Sequence, residues 1–141
     1  MSEDIGNAES QMQSGNHRLL EEATTQQIIG AAIEVHWELG PGLLESAYEE
    51  CLCHELHLRS ISFSRQVDLP VAYKQIHLDC GYRMDLVVND RVVVELKCLD
   101  AILRVHEAQL LTYLRLSGKR VGLLLNFQVA VMAKAIVRRV L

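Results

Sequence analysis

A chain of 141 residues, half of them hydrophobic, suffices for one domain with a substantial core and is too short for two ordinary ones. Its longest apolar runs, around Val92–Val94 and Val121–Leu125, have strand length, which excludes a helical membrane span, and the opening MSEDIGNAESQMQSG lacks the basic-then-apolar order of a signal peptide. The net charge of −4 argues against a surface that attracts nucleic acid everywhere; a cytoplasmic protein with no membrane partner is the expectation.

Residues 1–20 are rich in Ser, Glu, Gln, Asn and Gly, and they bury too little to offset their ordering entropy. They are expected to form a flexible tail ahead of a single domain over 21–141. Thr24-Thr25-Gln26-Gln27 reads as a helix start with Thr24 and Gln27 as a capping pair. Ile28, Ile29, Ala32, Ile33 and Val35 continue an apolar helix to about Trp37, until Leu39-Gly40-Pro41-Gly42 breaks it, and His36 there reads as a packed helix end rather than a ligand. Leu44, Ala47, Tyr48, Cys51, Leu52 and Leu56 recur at helical spacing, which predicts a second helix over about 43–58 with Glu45 in its first turn.

From Ile61 to Cys98 the pattern changes to short β-branched and aromatic runs, separated by Pro70, Asp79-Cys80-Gly81 and Asn89-Asp90, which read as three antiparallel strands. The helical period returns over about 103–117, Gly118 stops it, and Val121–Phe127 has the continuous apolarity of a buried strand. A last helix is expected over about 129–140. The strand–helix–strand unit from Val92 to Phe127 is a crossover, which lays its second strand parallel to one of the three. The predicted class is α/β, a mixed sheet flanked by helices.

Charge is unevenly spread along the chain. Residues 97–141 hold eight bases against Asp100 and Glu107, a local excess of +6, whereas residues 26–96 hold eleven acids against five bases. A basic region beside an acidic cluster suits a site that holds both phosphate and a cation; the plainer reading is that Lys119, Arg120, Lys134, Arg138 and Arg139 are solvated helix ends. Cys51, Cys53, Cys80 and Cys98 form no C-x-x-C pair and read as free thiols.

The chemistry concentrates in Arg83–Lys97, where Asp85, Glu95 and Lys97 interrupt otherwise apolar strands. Charges there are costly unless they are paired or bind something. Glu95 and Lys97, two apart on a strand, share a face. A two-residue turn at Asn89-Asp90 would send Asp85 to the other face. A three-residue loop Asn89-Asp90-Arg91 instead pairs Val88 with Val92, Leu86 with Val94 and Asp85 with Glu95, and leaves Met84, Leu86, Val88, Val92, Val94 and Leu96 as one apolar face. That loop, or an equivalent bulge, is the prediction. Two facing carboxylates repel, so Mg2+ or Mn2+ is the economical partner, with Lys97 orienting a water or neutralising charge on a phosphate. The competing reading is a structural ion pair of Lys97 with Glu95 or Asp85.

Gly42-Leu43-Leu44-Glu45-Ser46-Ala47-Tyr48 resembles the signature of the GxxExxY family, a branch of the PD-(D/E)XK nuclease superfamily. Leu39-Gly40-Pro41-Gly42, Gln66, Tyr73-Lys74, Tyr82–Leu86, Val94–Lys97, His106–Leu114 and Asn126-Phe127 follow in the order that family shows, so the resemblance covers roughly residues 25–141. It implies a restriction-endonuclease-like core of helix, three strands, helix, strand (αβββαβ). It also implies Asp85, Glu95 and the Leu96 carbonyl as metal ligands, Lys97 as the catalytic lysine and Glu45 as a helical acid near the ion. Gln109 and Tyr113, spaced i and i+4 with His106 one turn earlier, resemble the Q-x-x-x-Y element of RecB-like nucleases and would contact substrate or support the lysine, with Tyr48 in a similar supporting place.

The function expected is metal-dependent hydrolysis of a phosphodiester, in DNA ahead of RNA, alone or with a second copy or a partner protein. The alternative is a non-catalytic nucleic-acid-binding or protein-interaction module that keeps the fold. A thiol-based redox or metal protein would require the cysteines to converge.

Overall fold

The computed structural model describes residues 20–141; the tail expected over 1–20 lies outside the described residues but for Leu20. Two helices, α1 (Glu22–Leu39) and α2 (Glu45–Leu58), lead into β1 (Phe63–Asp68), a small hairpin of β2 (Val71–Tyr73) and β3 (Ile76–Leu78), then β4 (Arg83–Val88) and β5 (Val92–Lys97). Helix α3 (Arg104–Ser117), β6 (Val121–Asn126), a 3-10 turn (Met132–Lys134) and β7 (Ile136–Val140) complete the chain. The sheet runs β1-β4-β5-β6-β7, antiparallel except for the parallel β5–β6 pair that α3 connects. This is the mixed α/β architecture of a restriction-endonuclease-like core. No helix among the described residues is long and apolar enough to cross a membrane.

The sheet is covered on both sides, which is why β5 and β6 are apolar at nearly every position. On one face Leu86, Val88, Val92, Val94, Leu96, Val121, Leu123 and Leu125 pack against Ile28, Ala31, Ala32 and Val35 of α1 and Tyr48, Leu52, Cys53 and Leu56 of α2. On the other, Val87, Val93 and Leu124 pack against Leu110, Tyr113 and Leu114 of α3. Gly118 ends α3 with φ at 74°, a conformation only glycine adopts cheaply.

The loop between β4 and β5 is the odd-numbered one that the face argument demands. Leu86 pairs with Val94, Val87 with Val93 and Val88 with Val92, leaving Asn89, Asp90 and Arg91 to turn. Asn89 and Asp90 both take positive φ, which their short polar side chains tolerate.

Four expectations are corrected. The capping pair does not form: α1 starts at Glu22, Thr24 and Thr25 lie inside it, and the Thr25 hydroxyl donates back to the Glu22 carbonyl at 2.9 Å. The segment from Ile61 to Cys98 holds the three sheet strands plus the β2–β3 hairpin inserted between the first two. Met84 leaves the predicted apolar face for the α3 side of the sheet. The last helix is absent: Ile136–Val140 is a strand paired to β6, because its β-branched Ile136, Val137 and Val140 pack well on a pleated surface and would otherwise leave β6 as an open edge. Periodicity cannot distinguish a short apolar run in a strand from one in a buried helix.

Gly122 shows how closely α3 lies on the sheet. A Cβ built there would meet Leu110 Cδ1 at 2.7 Å, and Leu110 is fully buried, so its side chain has nowhere to swing. Gly122→Ala is expected to destabilise the domain by roughly 1–3 kcal/mol in urea unfolding, and adding Leu110→Ala should remove the clash, leaving a coupling in a double-mutant cycle. Strict additivity of the two substitutions would contradict this packing.

Candidate active site at the parted ends of β4 and β5

The β4–β5 ladder stops at Leu86 and Val94, one step short of the two acids. Beyond that point side-chain carboxylates replace main-chain carbonyls as acceptors. The Asp85 amide donates to Glu95 Oε1 at 3.1 Å, and the Leu96 amide donates to Asp85 Oδ2 at 2.8 Å. The expected juxtaposition of Asp85 and Glu95 is therefore present, made by this reciprocal exchange rather than by direct backbone pairing.

The same point is where two strands change face. Phe63 packs toward α1 and α2, whereas Val67 packs toward α3; along β4, Leu86 faces α1 and α2 while Met84 faces α3. The residues between, Gln66 and Asp85, are the two that the β1–β4 register skips, and Gln66 has φ at 48°. A left-handed residue in mid-strand rotates the chain out of its alternation, as a bulge does. Gln66 Nε2 donates to Glu49 Oε1 at 2.7 Å and approaches Asp85 Oδ1 at 3.5 Å, while Arg65 donates to Glu49 and Glu50, each at 2.9 Å. The buried Glu49 thus ties β1 to α2 behind the site. By sequence Gln66 stands out only as part of a motif and Glu49 only as a polar position of the second helix; a mid-strand glutamine with positive φ has no composition signal.

Glu95 is 4% exposed, and its carboxyl is pushed up to about 9, first by burial and then by the charge of Asp85, against the pull of the Asp85 amide and of Lys97. Glu45, at the first turn of α2, is raised by partial desolvation, then by Asp85, with Lys97 opposing. Lys97 makes no ion pair within 4 Å among the described residues; its Nζ donates to Gln109 Oε1 at 3.2 Å. The structural ion pair with Glu95 or Asp85 is not what the structure holds. Gln109 Nε2 in turn meets the Tyr113 hydroxyl at 3.2 Å, so the i, i+4 pair on α3 forms a relay beginning at Lys97. Burial, followed by the charge of Glu95, raises the Tyr113 phenol.

The remaining candidates are engaged elsewhere. His106 Nδ1 accepts the Leu103 amide at 2.8 Å, which caps the start of α3 and keeps it out of the relay. Tyr48 stacks on Phe127 with centroids 4.5 Å apart, donates its hydroxyl to the Gly40 carbonyl and accepts the Leu43 amide, so it fastens the Gly-Pro-Gly loop that delivers Glu45. His36 is buried, with Nε2 2.8 Å from the Val129 carbonyl. Asn126, which no spacing argument singled out, grips Leu99 through both its amide and its carbonyl, at 3.0 and 2.8 Å, just beyond the end of β5. The four cysteines are free thiols; burial raises Cys53 to about 11.

Among the described residues no three His, Cys, Asp or Glu side chains stand close enough to hold a metal ion by themselves. The donor set that suits a hard cation here is two carboxylates with a main-chain oxygen. The Leu96 amide points to β4, and in an extended strand the carbonyl of the same residue lies on that side too. A buried Glu95 raised so far beside the half-buried Asp85 fits a site that gains from positive charge.

The proton on Glu95 gives a sign that can be checked. A folded-state value near 9 against an ordinary 4.5 means the native protein keeps a proton that the unfolded chain releases. Without a divalent ion, stability therefore falls as pH rises from about 4.5 to about 9. Glu95→Gln mimics the protonated form: in chelator near pH 8 its melting temperature is expected to exceed the wild type's by about 3 °C or more, the gap closing near pH 4.5. Equal melting of the two proteins across that window would refute the burial of a repelled carboxylate.

A family model of the PD-(D/E)XK nuclease superfamily matches residues 22–140, nearly the whole chain. No curated protein and no solved structure matches it.

Proposed function

We propose that this chain, which belongs to the PD-(D/E)XK nuclease superfamily, hydrolyses phosphodiester bonds with Mg2+ or Mn2+ held by Asp85, Glu95 and the Leu96 carbonyl. The observation that carries the reading is the reciprocal exchange between Asp85 and Glu95, which gathers two carboxylates at a parted strand end and leaves Lys97 beside them, unpaired with either. The family's matched residues and the spacing of Gly42, Glu45 and Tyr48 support placing the chain in the GxxExxY branch.

A divalent ion bound there would polarise the phosphate and supply hydroxide at neutral pH. The chain's own residues do the rest. Glu45, at the mouth, would add a further acid near the ion. Lys97, steadied by Gln109, sets its ammonium where negative charge grows on the phosphate during in-line displacement. Tyr113 holds Gln109 by its hydroxyl. Asn126 and Tyr48 fix the segments that follow Lys97 and precede Glu45.

DNA is the favoured substrate over RNA, in a cytoplasmic setting. A second copy or a partner protein is part of the reading. Trp37, 83% exposed, joins Ile33 and Val131 around a shallow groove beside the 3-10 turn, a costly apolar patch for a lone domain.

Calorimetric titration of manganese is expected to show one site in the wild type and at least tenfold weaker binding in Asp85→Asn, by analogy with the roughly 10–100-fold losses that attend damage to a metal site's supporting shell. Lys97→Ala should bind the ion as the wild type does yet cleave mixed DNA substrates about 100-fold more slowly or less, the size of effect that follows removal of a group stabilising transition-state charge. A wild type that takes up no ion would replace this reading with the non-catalytic binding module.

A further inference from the structure

A groove of about 560 Å³ runs along α3 beside the relay, between the helix and the root of the β2–β3 hairpin. Val71, Tyr82, Val105, Gln109, Tyr113 and Leu116 line it, and none of its walls carries a charge. It joins the candidate active site directly: Gln109 accepts from Lys97 on one side and meets the Tyr113 hydroxyl on the other, each at 3.2 Å. Tyr82 is 48% exposed and stands edge-on to Tyr113, with ring centroids 6.4 Å apart.

If a phosphate lies at Lys97, the next group along the strand meets this groove. Uncharged walls cannot hold another phosphate, because they offer no compensation for its lost hydration. A flat group with apolar faces and a polar rim suits them: tyrosine rings stack against it, and the Gln109 amide and Tyr113 hydroxyl meet its edge. A base inside a duplex has both faces covered by its neighbours and cannot enter.

We propose that the groove receives an unpaired nucleobase next to the scissile phosphate, so that the substrate of this site is a single-stranded nucleic acid, with Tyr82 as the stacking platform. The inference rests on the nuclease reading and goes beyond it by naming the strand state and the residue that senses it. Tyr82 lies outside the metal and lysine machinery, and its exposure lets it be replaced without opening the core.

The test is equilibrium titration of the full chain, with calcium in place of magnesium, against an oligonucleotide carrying 2-aminopurine, either single-stranded or paired with its complement. Stacking should quench the probe in the single strand and leave the duplex unaffected. Tyr82→Ala should abolish the quenching and weaken binding roughly tenfold, within the range that loss of one base–aromatic stack produces, whereas Tyr82→Phe should retain both. Undiminished quenching in Tyr82→Ala, absence of quenching in the wild type, or equal affinity for the duplex would overturn the proposal. A cleavage assay with manganese on the same oligonucleotides separates the two readings. Tyr82-dependent quenching without cleavage by any form supports the groove and sinks the nuclease. Cleavage of duplex indifferent to Tyr82 does the reverse.

Discussion

Two carboxylates standing in for backbone carbonyls at the end of the β4–β5 ladder are the constraint on which the rest of the structure depends. A ladder that continued past Leu86 and Val94 would close the strands on each other and leave no room for a ligand. Because Asp85 and Glu95 each accept an amide across the gap, the strands part while their exposed donors stay satisfied. The arrangement has a cost, carried mainly by Glu95, a nearly buried acid beside another. Extensive apolar packing from both sides of the sheet allows the fold to tolerate it.

The supporting residues follow from that constraint. A parted strand end lacks the mutual bracing of a continuous ladder, so neighbouring segments must supply it. On β1, Gln66 turns out of register near Asp85 and is held by Glu49 from α2. Past the end of β5, Asn126 reaches across from β6 to hold Leu99, and the Phe127 amide donates to the Lys97 carbonyl at 2.9 Å. On the helical side, Tyr48 clamps the loop before Glu45 while its ring lies on Phe127. Phe127 thereby links the Lys97 strand, through its amide, to the helix that carries Glu45, through its ring.

The extent to which the sequence disclosed this varied with the kind of signal. The loop at Asn89–Arg91 was legible because face parity admits only an odd count if Asp85 is to meet Glu95, and parity is a strict rule of strands. Glu95 and Lys97 were legible as rare charges in an apolar strand. Met84 was misplaced by the same rule, since alternation holds only while the strand is regular, and β4 changes face at Asp85. The segment 136–140 was read as a helix because apolar content says how buried a segment is and little about its backbone, and only the open edge of β6 decides for a strand. Thr24 fails as a cap since α1 already begins at Glu22, most of a turn earlier, after Glu21 in a left-handed conformation that a local motif does not register. Gln66 and Glu49 were invisible as site residues because their importance comes from a backbone distortion and a cross-element hydrogen bond.

Charge counted along the chain proved a poor guide to charge in space. The basic excess of the last third does not gather at the acids. Lys119 and Arg120 precede β6 at the end of the sheet opposite Lys97, since β5 and β6 run parallel, and Lys119 is engaged by Asp90. Arg139 pairs with Glu107, and Arg138 spends a guanidinium nitrogen on the Leu20 carbonyl. Around the parted strands the titratable side chains are instead mostly acids, Asp85 and Glu95, the latter holding a proton while no ion is bound, joined by Glu45 at the mouth, with Lys97 as the nearby cation. Such a site offers a polyanion little attraction until positive charge is added to it. The same two acids that make an ion welcome therefore also make the approach of a phosphate conditional on that ion, which couples the order of binding to the geometry of one strand end.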